Sequence, residues 1–144
     1  MNNRIYKFRA WDKKQKEMFY SDDVEFSAPE DMDGNSYQLS EFFSRISGEN
    51  SKDNYEVMQY TGIKDKNEKN IYEGDIVTYN MTGWDEEINE EYNNQFKGIV
   101  EYNYDKFSIK YRESKLSKCF HELGIARESR IIGNIYENPE ILSK

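Results

Sequence analysis

The chain has 144 residues, a formal charge of −8 and a sequence pI near 4.8, with 36% hydrophobic and 15% aromatic residues, twelve of them Tyr. That length is typical of one domain and can bury a core without disulfide or metal. The acidity opposes the field that neutralises phosphates, which argues against general binding to nucleic acid or to an acidic membrane.

From Arg4 to Trp11 apolar and polar residues mostly alternate, the period of a half-buried strand. Asp12 to Glu17 reads as a charged turn, and Met18, Phe19 and Tyr20 resume a β-type composition, so residues 4 to 26 are expected to form a hairpin or strand pair. Leu39, Phe42, Phe43 and Ile46 then fall on one face of a helix, predicted over about residues 38 to 47 with Ser40 as its cap. The flanks, within Pro29 to Asn54, are expected to be loops.

A β-rich half follows. Glu56 to Tyr60, Asp75 to Asn80, Phe96 to Asn103, Lys106 to Arg112 and Ser129 to Tyr136 carry β-branched and aromatic residues bounded by Gly, Asn or Asp. Short strands at this spacing predict a small barrel or sandwich. Thr82 to Asn94 is acid-rich without a period of two, and is expected to be a solvated loop or short helix. The N-terminus lacks the apolar segment of a secretory signal and no stretch is long and apolar enough to span a membrane, so the expected location is cytosolic, with no membrane contact.

Few residues point to chemistry. A calcium loop centred on Gly34 fails, because its first and twelfth positions are Pro29 and Ser40 instead of acids. Cys119 and His121 stand two apart, the minimal spacing of a thiol beside a base on a strand, but no third orienting group can be named. Cys119 is the only cysteine, which excludes an intramolecular disulfide and a Cys-based zinc site within one chain. Neither glycine-rich phosphate motif occurs, and no cofactor or metal is expected. Lys7, Arg9 and Trp11 belong to a basic, aromatic run that could act as a stacking platform for a single strand, although a charged edge strand is the plainer reading.

Four blocks, IYKFRAWDKKQKEMFY, VMQYTGIKDKNEKNIYEGDIV, GIVEYN with FSIK, and IIGNIYENPEIL, resemble the YopX family, a group found in bacteriophages and prophages of Gram-positive bacteria. The resemblance implies a mainly β phage protein and brings no enzymatic activity. Similar members usually read DKNGK where this chain has Glu68. An Asn-Gly pair suits a type I′ turn, so Asn67 is expected to keep the left-handed position and Glu68 to leave it, loosening the turn. Gly74 should open a strand of a small SH3-like barrel, and Asn138 with Pro139 should begin a final helical turn.

The fold expected is therefore mainly β within an α+β class. Residues 1 to 54 form a β pair with one short helix, and residues 55 to 144 a barrel-like half of the same single unit. The expected role is a non-enzymatic phage accessory protein that binds a protein partner or itself. Trp11, Tyr60, Tyr72, Glu73 and Trp84 are the candidate contact residues, since large rings beside charged turns anchor interfaces. The alternative is a nucleic-acid-binding module using Lys7, Arg9 and Trp11 or the barrel face.

Overall fold

The computed structural model describes residues 5–23, 33–103, 105–111, 117–119 and 128–143, with the backbone alone at 81, 92, 94, 111 and 117–119. Contacts divide the chain into two units, Met1–Gly62 and Ile63–Lys144. About half of the chain is strand, as the mainly β reading requires.

In the first unit β1 (Phe8–Asp12) pairs antiparallel with β2 (Glu17–Tyr20) on one side and with β3 (Tyr55–Lys64) on the other. Between β2 and β3 come a 3₁₀ turn (Ser21–Asp23), α1 (Gly34–Ile46) and the short α2 (Ser51–Asn54). The helix starts a turn earlier than the apolar spacing predicts, because its cap is Asp33 and not Ser40. Asp33 accepts hydrogen bonds from the Ser36 backbone N–H (3.0 Å) and hydroxyl (2.6 Å), satisfying an N–H that the first helical turn leaves orphaned. Those bonds, the hydroxyl's first, hold the Asp33 carboxyl below its ordinary pKa.

Phe42 and Ile46 are buried with Ala10, and Phe8, Phe19 and Tyr55 pack around them. Phe42 lies 5.4 Å from the Phe19 ring and 5.2 Å from Phe43, tilted or edge-on, the geometry aromatic pairs prefer. The Arg45 guanidinium covers the Phe19 ring at 3.9 Å.

The boundary between the units lies inside β3, because its first half belongs to the sheet with β1 while its end turns through residues 65–69 into β4 (Asn70–Tyr72). The second unit contains β5 (Asp75–Asp85), β6 (Glu90–Asn103), β7 (Lys106–Tyr111), β8 (Ser117–Cys119) and β9 (Arg130–Asn134), in the order β8-β7-β6-β5-β9, and then a 3₁₀ turn (Pro139–Ser143). The sheet curls as a half-barrel. Its core is Ile71, Val77, Tyr79, Val100, Phe107 and Ile109, with Ile63, Phe96 and Ile131 against them.

At Gly98, on β6, there is no room for a side chain beside β7. A Cβ there would meet Ile109 Cγ2 at 2.3 Å and the Lys110 carbonyl oxygen at 2.9 Å. Backbone cannot rotate out of the way, so Gly98→Ala is expected to lower stability by about 1–3 kcal/mol. A urea midpoint equal to wild type would show that β7 can retreat freely.

The 65–69 turn corrects the expectation for Glu68. Glu68 is the left-handed residue (φ 64°), and Asn67 is not among the residues at positive φ. The reason is loop length. Asp65 and Lys69 close a three-residue loop, with the Asp65 N–H donating to the Lys69 carbonyl (2.8 Å) and the Glu68 N–H to the Asp65 carbonyl (3.0 Å). In such a loop it is the third residue that turns left-handed, whereas a two-residue type I′ turn would need both. A side chain in that region costs about 1–2 kcal/mol, partly offset by the extra freedom glycine has when unfolded. Glu68→Gly is therefore expected to stabilise the protein by about 0.5–1 kcal/mol, seen as a higher urea midpoint; a lower midpoint would refute the strain.

Candidate interaction surface

Thr82 to Asn94, expected to be a loop or short helix, is instead a β-ribbon. Pairing of β5 with β6 runs without interruption from Ile76↔Ile99 to Asp85↔Glu90. The β5 register with β9 ends at Thr78, and the β6 register with β7 begins at Gly98. Residues 80–85 and 90–95 are thus paired only with each other among the described strands, forming an arm of about 20 Å at ~3.3 Å per residue.

Its tip is set by Asp85, whose Oδ1 accepts the N–H groups of Glu87 (2.9 Å) and Ile88 (3.4 Å), and by Asn89 at φ 55°. Strand alternation puts Trp84 and Glu91, partners in register, on one face with Thr82 and Asn93. Trp84 is 56% exposed and Ile88 is 62% exposed. Between residues 80 and 95 there are five acids, Asp85, Glu86, Glu87, Glu90 and Glu91, and no Lys, Arg or His.

The other predicted contact residues are placed differently. Trp11 (9% exposed) and Tyr72 (3%) are buried, while Tyr60 and Glu73 are half-buried. Burial lifts the Tyr60 phenol above its ordinary pKa, and Lys7 Nζ lies 5.6 Å from the centre of its ring. Arg9 is buried too, at 3%, and Lys7 pairs with Asp22 at 3.6 Å. Lys7, Arg9 and Trp11 therefore do not form an exposed platform on which bases could stack. Cys119 lies on β8 by its backbone, but its side chain and His121 fall outside the described residues.

In the second unit a groove of about 390 Å³ runs between β6–β7 and the C-terminal 3₁₀ turn. Ile99, Pro139 and Leu142 line it, and its acid and base, Glu101 and Lys110, are 4.0 Å apart and neutralise each other. Among the described residues no group of three His, Cys, Asp or Glu side chains could hold a metal ion, and no helix is long and apolar enough to cross a membrane.

The patterned blocks of the sequence resolve into a set of carboxylate and amide caps. Asp12 Oδ1 accepts the N–H groups of Lys14 and Gln15, both at 2.9 Å, in the β1–β2 turn. Asp65 Oδ1 accepts those of Asn67 (2.8 Å) and Lys69 (2.9 Å), and its Oδ2 accepts the N–H of Ile131 (3.0 Å) on β9. Asp75 Oδ2 accepts the Tyr72 N–H (2.8 Å) across the bend at Gly74. Asn134 Oδ1 accepts those of Tyr136 (3.0 Å) and Glu137 (2.8 Å). Each cap is a buried polar side chain that satisfies backbone donors in a turn.

A protein-family model described as YopX protein matches residues 7–143. The chain belongs to the YopX family. Its likeness to a solved structure, that of protein EF1440 from Enterococcus faecalis, covers 96% of this chain and 98% of that one, at 27% identity and a TM-score of 0.52. No curated protein matches the chain. In this YopX chain three of the four blocks that carry the resemblance contain the caps just described, and the fourth, GIVEYN with FSIK, lies in the paired strands β6 and β7, so the pattern marks how turns and strands are joined. The arm lies outside those blocks. Sequence reasoning missed it, but Asp85 to Glu90 repeats the Asp-to-Glu spacing of the Asp12 to Glu17 hairpin, and that signal could have located its tip.

Proposed function

We propose that this YopX chain is a non-enzymatic phage or prophage accessory protein that acts by binding another protein, with the arm formed by β5 and β6 as its contact surface. One observation carries the reading: a ribbon that no other described strand pairs with, bearing Trp84 and Ile88 in solvent. Exposed rings of this size anchor interfaces, and among the described side chains of the ribbon none belongs to a buried core that would require them. The polar caps account for the patterned sequence without invoking a reaction, which leaves the arm as the surface still to be explained.

The test places a photo-crosslinking residue at Ile88 and illuminates bacterial cells that express the full chain. A discrete adduct with one protein, lost in Trp84→Ala, is expected. A diffuse adduct pattern, or a discrete one that Trp84→Ala leaves unchanged, would remove the arm from the interface.

A further inference from the structure

We infer that the occupant of the arm is a basic protein segment, in which Lys or Arg side chains lie over Trp84 and face Glu91; the inference rests on the arm being the contact surface. Between residues 80 and 95 the arm carries five acids without a single base, the same sign as the chain's formal total of −8. Trp84 and Glu91 share one face and one register position, so a cation approaching that face meets a ring and a carboxylate together.

Lys and Arg fit both, with an alkyl stem or guanidinium plane against the ring and a charge toward the carboxylate. Ile88, fixed at the tip by Asp85, offers an apolar contact beyond the charged zone. The same charge opposes the alternatives. Two arms meeting face to face would set five acids against five, and phosphate groups of nucleic acid or anionic lipid would be repelled.

Because the chain has two Trp, Trp11→Phe leaves Trp84 as the only indole, and its accessibility can be followed by acrylamide quenching of fluorescence in the full chain. Three peptides of equal length serve as probes: one of Lys, Arg and Leu, one with the bases replaced by Gln, and one with them replaced by Glu. The basic peptide is expected to lower the quenching of Trp84, and the effect should disappear at about 1 M salt, where the Debye length is ~3 Å. It should also disappear in Glu90→Gln, Glu91→Gln protein. Equal protection by the Gln peptide, protection by the Glu peptide, or none by the basic peptide would overturn the inference. The Ile88 crosslink reports separately on the arm itself: an adduct that persists when the basic peptide fails leaves the surface and discards only the chemistry assigned to its partner.

Discussion

Asp65→Ala is expected to cost the second unit about 3–5 kcal/mol, because three backbone N–H groups would lose a carboxylate partner at a position that is 3% exposed. Two of those donors shape the 65–69 turn, and the third belongs to β9, just before which the Ser129 carbonyl accepts a hydrogen bond from the Lys66 N–H at 2.8 Å. Asp65→Asn separates the two roles. Its carbonyl oxygen can still accept from the turn, but its NH₂ would face the Ile131 N–H, so a loss of about 1–2 kcal/mol is expected from that one contact. Urea unfolding of the three proteins should rank wild type above Asn above Ala. An Ala variant within about 0.5 kcal/mol of wild type, the range of an ordinary surface change, would mean that the carboxylate is dispensable.

Phe42→Ala should be equally damaging in the first unit. The ring lies within 6.5 Å, centre to centre, of Phe8, Phe19 and Phe43 and is 2% exposed, so truncation removes contacts on several sides and leaves a cavity under a helix. The expected loss is about 3–5 kcal/mol. Amide hydrogen exchange read by segment gives the sharper test. Protection should fall across β1, β2 and α1 while β5 to β7 keep theirs, since the two cores share no residue. Equal loss across both units would show that they open together.

The elements with one buried face were legible in the sequence. α1 shows its stripe of Phe42 and Ile46, and the C-terminal strands carry β-branched residues, so the mainly β class followed; β1 alternates in sequence as a half-buried strand would, yet Arg9 to Asp12 are all buried, because β2 and β3 flank it on both sides. The arm was not, and the reason is physical. Alternation records an apolar face against a polar one, and along Thr82 to Asn94 acids and amides occupy positions on both faces, leaving no such contrast to record. The start of α1 was missed because Asp33 lies in an acidic stretch where one cap looks like any other acid. Glu68 was assigned the wrong turn because Asn followed by a glycine position suggests two residues, while the bonds to Asp65 set the loop at three. Trp11 and Tyr72 looked like surface anchors because composition gives ring size but not depth. Only Trp84 among the five proposed contacts stands well out in solvent.

The contact between Asp65 and Ile131 also bears on the order in which the chain can assemble. The two residues are 66 positions apart, whereas the first unit closes its sheet between Phe8 and Gln59. The β5–β6 hairpin, joined by a short turn, can form within microseconds, but β9, which follows β6, β7 and β8 in the chain, must come back across a wide sequence separation before it reaches either β5 or the waiting carboxylate. Docking of β9 is thus expected to be the late step of the second unit. Until it occurs, the edge of β5 along Asp75–Thr78 is open to any other strand, and the Asp65 turn has two of its three bonds. One carboxylate thereby links a turn that forms early to the strand that arrives last, so the closing of the sheet and the locking of the turn become a single event.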